Sequence, residues 1–172
     1  MVQLRDKHAT PRELYNSTVK AVLAARRCGV RLILNDRVDI ALAAGADGVH
    51  LGQDDLLPDR ARRLIGPNRI LGFSTHTMEQ ATAADSMPVD YIAVGPIFAT
   101  STKVNPDAVL GLESLAEIRS RISKPLVAIG GITLPRARAV LEAGADSLAI
   151  ISALYTADDI SGTLRALNSE VG

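Results

Sequence analysis

Arg31-Leu32-Ile33-Leu34-Asn35-Asp36-Arg37 and, a few residues on, Ala44-Gly45-Ala46-Asp47-Gly48-Val49-His50-Leu51-Gly52-Gln53-Asp54-Asp55 together decide how this chain folds. Leu32-Ile33-Leu34 is apolar without alternation, as a strand is when both of its faces are covered. A helix starting near Arg37 ends at Ala44-Gly45, where glycine supplies the left-handed residue that closes a helix. The apolar run Gly48-Val49-His50-Leu51 then forms the next strand. Strand, short helix and strand in so few residues make a parallel crossover unit.

The same alternation extends in both directions. Strands are predicted at 2–5, 31–35, 48–51, 69–74, 91–95, 125–129 and 147–151. Leu14, Thr18, Val22 and Ala25 fall on one face of a first helix, and Thr133 with Pro135 opens a later one. Gly29, Gly45 and Gly144 stand where helices end. Ala44-Gly45-Ala46-Asp47-Gly48 returns as Ala143-Gly144-Ala145-Asp146-Ser147, each a helix end feeding a strand and each readable as one tight turn used twice. The expected fold is α/β with a buried parallel sheet, to be read either as a parallel (βα)8 TIM barrel with seven strands visible or as an open sheet. A closed barrel has eight units and about 250 residues. On the count alone, an open doubly wound sheet also accommodates seven.

Length and composition narrow the function. With 172 residues, 47% of them hydrophobic, one core and a single domain over 1–172 are expected. Basic and acidic residues both number 19, so no net field draws the chain to nucleic acid or to an anionic membrane. Tryptophan is absent and aromatics are 3%, which gives no stacking platform for single-stranded nucleic acid. No apolar run approaches the ~20 residues that span a bilayer. Cys28 has no second cysteine to pair with, and the charged start Arg5-Asp6-Lys7 is unlike a signal peptide, so a cytoplasmic location is expected. A homo-oligomer is compatible with these features.

Polar and glycine residues gather after the strands, on the end where a barrel builds its active site. Asp36 and Asp55 follow consecutive strands, and two carboxylates completed by water and phosphate oxygens are how Mg2+ is usually held. Helix capping is the competing role, by Asp36 for the helix starting near Arg37 and by Asp54 or Asp55 for the next. Arg5, Lys7 and Lys103 add positive charge on that rim, as a diphosphate requires, unless they are simply solvated. Gly130-Gly131 precedes the helix opening at Thr133, which is either a phosphate loop or a bare turn. His50, inside an apolar run, reads as a packed or structural residue with a base as the competing role, whereas His76 after Ser74-Thr75 lies at a loop mouth within reach of a ligand. No serine, histidine and acid set suggests covalent catalysis.

Six blocks, taken in order, carry a resemblance: Gln3-Leu4-Arg5-Asp6-Lys7, Asn35-Asp36-Arg37-Val38-Asp39, His50-Leu51-Gly52-Gln53-Asp54-Asp55, Ser74-Thr75-His76, Gly95-Pro96-Ile97-Phe98 with Thr100-Ser101-Thr102-Lys103, and Ile129-Gly130-Gly131-Ile132. Together they resemble the thiamine-phosphate synthase family over nearly the whole chain. The resemblance implies a transferase of thiamine biosynthesis that joins 4-amino-5-hydroxymethyl-2-methylpyrimidine diphosphate to 4-methyl-5-(2-phosphoethyl)thiazole and releases diphosphate. It implies early C–O cleavage, so that neutralising the leaving group matters more than a base. Transferred position by position, Asp36 and Asp55 would hold Mg2+, and Arg5, Lys7, Lys103 and Ser74 would stabilise the diphosphate. Gln3 and Asn35 would orient the pyrimidine, Thr100 and Thr102 would contact the thiazole, and Gly131, Ile151 and Ser152 would bind its phosphate.

Two departures from the family pattern stand out. Ala99 replaces the usual proline before the lysine loop. Family members also carry a strand and helix ahead of the glutamine block, so this chain is expected to begin one βα unit late, its true start lying upstream. Closure with seven strands, or a partner over the gap, are the alternatives. A sister thiazole tautomerase shares the fold but has less use for paired aspartates and a lysine-ended first motif. A truncated fragment that binds phosphates without turnover is the remaining competitor.

Overall fold

The computed structural model describes residues 1–100 and 107–171. The chain is a parallel α/β fold that divides into two compact units, Met1–Ser74 with Met87–Asp90, and Thr75–Ser86 with Tyr91–Gly172. All seven expected strands are present, with ends differing by a residue or two.

In the first unit β1 (Val2–Leu4), β2 (Leu32–Asn35), β3 (Gly48–Leu51) and β4 (Ile70–Thr75, its last residue falling in the second unit) run parallel in chain order. Gln3 pairs with Ile33, Asn35 with His50, and His50 with Gly72. The helices are α1 (Pro11–Arg27), α2 (Val38–Ala44) and α3 (Pro58–Ile65). Thr10 and Glu13 form a reciprocal capping box at the start of α1, with Pro11 at a first-turn position where its missing N–H costs nothing. The face read from the sequence is the buried one: Leu14, Thr18 and Val22 point inward, and the Thr18 hydroxyl is satisfied by the Leu14 carbonyl at 2.7 Å. Ile33, Leu34, Val49, Leu51 and Leu71 are fully buried, which is why their runs show no alternation. At Gly48 a side chain has no room, because a Cβ would lie 2.2 Å from the Ile70 carbonyl oxygen.

The second unit holds α4 (Met78–Asp85), β5 (Tyr91–Val94), α5 (Gly111–Arg121), β6 (Leu126–Ile129), α6 (Leu134–Glu142), β7 (Ser147–Ala149), α7 (Ser152–Tyr155) and α8 (Ile160–Val171). Its strands are again parallel and in order, Ile92 opposite Leu126 and Val127 opposite Ser147. Ile92, Val94, Ile97, Leu115, Ile118, Leu126 and Val140 fill its core.

The repeated turn does more than reverse the chain. Asp47 accepts the Leu32 N–H on its carboxylate at 2.8 Å while its own N–H donates to the Leu32 carbonyl at 2.9 Å. Asp146 does the same with Leu126, at 2.7 and 2.8 Å. A third copy, Asp90 on Leu71 at 2.7 and 2.8 Å, escaped the sequence reading because Pro88-Val89 replaces the Gly-Ala lead-in. Arg62 braces Asp90 at 2.7 Å and also donates to the carbonyls of Gly66, Arg69 and Pro88. Each of these aspartates precedes a strand and ties down the start of the strand before it.

Candidate active site

The opposite strand ends carry the candidate residues. In the first unit, Asp6 turns the chain after β1 by accepting the N–H groups of His8 and Ala9 at 3.0 and 3.1 Å. Lys7 Nζ meets Asp36 Oδ2 at 2.5 Å. Asp36 adopts the left-handed region, φ 63°, which aspartate tolerates better than most residues, and its N–H donates to the His50 carbonyl at 2.8 Å. Its carboxylate is therefore not a helix cap. The residue at the α2 start is Arg37, with no side-chain cap bond, and at the α3 start it is Leu57, likewise uncapped. The capping role left open for Asp36 and Asp55 is set aside.

Asp55 folds back to accept the Gly52 N–H at 2.7 Å. Burial, and then the neighbouring Asp36 carboxylate, push its carboxyl above the usual range, against the pull of the Gly52 N–H and Lys7. Lys7 pairs with Asp36, and Asp55 lies near enough to feel both, so with all three charged the cluster is one positive charge short. A hard divalent cation with oxygen ligands fits that deficit. Among the described residues no group of three or more histidine, cysteine, aspartate or glutamate side chains converges, so such an ion would draw its remaining ligands from substrate and water.

Ser74, half-buried at the end of β4, lies 2.7 Å through Oγ from His50 Nε2, and its carbonyl accepts from Gln53 Nε2 at 2.5 Å. His50 is 6% exposed, and burial pushes its imidazole down to about 4. The sequence favours a packed or structural role for His50 over that of a base, and nothing in it points to the bond with Ser74. The partner is 24 residues away, and only the pairing of β3 with β4 brings it near. Gln3 and Arg5 are exposed on and just beyond β1, and Asn35 is half-buried at the end of β2.

The second unit carries the remaining candidates. Gly95, followed by a cis bond to Pro96, ends the run that includes β5, and Ile97 and Phe98 donate to the carbonyls of Ile129 and Gly130 at 2.9 and 3.1 Å. Gly131 has φ 65°, and a Cβ there would lie 2.6 Å from the Ala99 carbonyl oxygen, so this position is fitted to glycine. Arg136, from the first turn of α6, donates to the Gly131 carbonyl at 2.9 Å and stacks over the Phe98 ring, 4.5 Å from its centroid. Thr100 is half-buried. Ile151 and Ser152 are exposed at the head of the four-residue α7. Thr102 and Lys103 lie outside the described residues. His76 Nδ1 is taken up by the Gly95 carbonyl at 2.7 Å, with Asp107 at 3.4 Å, so this ring anchors its own unit.

Comparison with known proteins agrees with the six blocks. The family model described as thiamine monophosphate synthase matches residues 1–154. A thiamine-phosphate synthase of Chloroflexus aurantiacus is 48% identical over 171 residues, covering 99% of this chain and 79% of the relative. One from Koribacter versatilis is 51% identical over 154 residues, covering 90% and 72%. The solved structure of a thiamine phosphate pyrophosphorylase from Pyrococcus furiosus superposes with a TM-score of 0.89 at 38% identity, over 98% of this chain and 81% of that one.

Proposed function

The chain belongs to the thiamine monophosphate synthase family, and from that premise we propose that it condenses 4-amino-5-hydroxymethyl-2-methylpyrimidine diphosphate with 4-methyl-5-(2-phosphoethyl)thiazole, releasing diphosphate and forming thiamine phosphate. It is a transferase of thiamine biosynthesis. We read the parallel α/β arrangement as a (βα) barrel of the TIM type forming one domain over residues 1–172, in a cytoplasmic enzyme that takes small-molecule substrates and can form a homo-oligomer. No helix among the described residues is long and apolar enough to cross a membrane.

The observation that carries the assignment is the meeting of Lys7, Asp36 and Asp55 at one set of strand ends, short of one positive charge. Asp36 and Asp55 would hold Mg2+, which when bound supplies Lewis-acid neutralisation of the departing diphosphate. Lys7 is already at Asp36, and with Arg5 it brings fixed positive charge to the oxygens on which negative charge grows. Lys103 belongs to the same assignment by family position. Ser74 hydrogen-bonds the diphosphate, and Gln3 and Asn35 orient the pyrimidine. In the second unit Thr100 and Thr102 contact the thiazole. Its phosphate falls to Gly131, Ile151 and Ser152, a role supported by the glycine-only backbone at Gly131.

The test is formation of thiamine phosphate from the two substrates with Mg2+, compared with Asp36→Asn and Asp55→Asn. Each variant should lose about 100-fold or more in kcat/KM, as removal of one transition-state charge contact does. Asparagine suits the left-handed backbone at Asp36, so a loss there reports the charge. Full activity in both variants would remove the metal assignment. A folded unsubstituted protein that makes no product would remove the synthase reading.

A further inference from the structure

Ser74 is gripped at its carbonyl and its hydroxyl by the segment ending β3 and running past it. Gln53 holds the carbonyl at 2.5 Å, and His50 Nε2 holds the hydroxyl at 2.7 Å. The register explains the reach: His50 lies opposite Gly72, and Ser74 is its diagonal neighbour on the same face of β4. A serine hydroxyl has one proton to donate. Spent on the imidazole, that proton leaves only lone pairs to face an anion, which repel it. Received from the imidazole, the hydrogen bond leaves the Ser74 O–H available to the anion.

We propose that His50 is a positioning residue: as the Nε2–H tautomer it donates to Ser74 Oγ and so directs the Ser74 hydroxyl proton to an oxygen of the bound diphosphate. This rests on the assignment of Ser74 to the diphosphate made above. The ring is buried, and in a neutral imidazole one nitrogen carries the proton and the other does not. His50 acts through Ser74, and no proton leaves it during the reaction.

Long-range nitrogen–proton NMR of the His50 ring in the unsubstituted protein reads the tautomer directly, and a proton on Nδ1 alone would overturn the proposal. Calorimetric titration with inorganic diphosphate and Mg2+ supplies the second reading. His50→Gln keeps an N–H at comparable reach and should hold affinity within about twofold. His50→Leu and Ser74→Ala should each weaken binding about tenfold, the scale of one hydrogen bond. The double variant should be no weaker than either, because His50 works only through Ser74. Independent, multiplying losses would refute it, as would equal losses in His50→Gln and His50→Leu. A protein that gives the expected tautomer and titration yet makes no thiamine phosphate would count against the reaction and leave His50 as assigned.

Discussion

Replacing Asp47 by alanine tests whether the aspartate before β3 holds the start of β2. Its carboxylate takes the N–H of Leu32, a residue only 2% exposed, at 2.8 Å. Alanine leaves that N–H without its acceptor, and a hydrogen bond to a charged group contributes roughly 1.5–3 kcal/mol. The expected loss for Asp47→Ala is thus about 2 kcal/mol. Asn keeps an acceptor oxygen and loses only the charge, so Asp47→Asn should cost about 1 kcal/mol or less. Asp90→Ala removes the same kind of bond and also frees Arg62 from a pair at 2.7 Å. The exposed side of that pair adds only a few tenths of a kcal/mol, so Asp90→Ala should be slightly worse than Asp47→Ala. For a chain of 172 residues, about 2 kcal/mol lowers Tm by roughly 4–8 °C. Urea unfolding followed by circular dichroism measures all three variants, with steady-state turnover as the control. Because Asp47 lies at the end of the sheet away from the chemistry, kcat and KM should stay unchanged at 25 °C. If Asp47→Ala falls within about 0.5 kcal/mol of the unsubstituted protein, or matches Asp47→Asn, the anchoring role is refuted.

Other outcomes follow from the same geometry. Gly131→Ala should raise KM for the thiazole phosphate at least about tenfold with a smaller effect on kcat, since its Cβ must displace the Ala99 carbonyl; unchanged KM in steady-state assays would remove Gly131 from the phosphate loop. Gly48→Ala should destabilise by about 1–3 kcal/mol in urea titrations, because the Ile70 carbonyl stands at 2.2 Å from the added carbon. His50, at about 4 when folded against 6.5 as its ordinary value, binds its proton more weakly in the native state. Its contribution to stability is therefore complete above pH 6.5 and is lost as pH falls through about 4, amounting to about 3 kcal/mol. The slope of stability against pH over that window should flatten in His50→Gln, and an unchanged slope would mean the histidine titrates normally.

Much of this was readable in the chain because its signals are local. Short apolar runs located the seven strands, and the spacing of Leu14, Thr18 and Val22 located the inner face of α1. The six blocks put Lys7, Asp36 and Asp55 on one list, and the fold brings them together. What the sequence hid depends on partners far along the chain. Neither the reach of Arg62 to Asp90, 28 residues on, nor that of His50 to Ser74, 24 residues on, leaves a periodic trace. Asp36 shows another limit. Aspartate after a strand and before a helix looks like a cap, and only its positive φ and its bond to Lys7 reveal a different use.

The aspartates that precede β3, β5 and β7 have a consequence for how such a protein can change. Each secures the beginning of a strand using a bond that involves none of the residues at its far end. Foldability and reactivity are thereby written into different letters of the same strand. Substitutions that retune what the chain accepts can accumulate at one end of each strand, while the other end keeps the register in which they are presented.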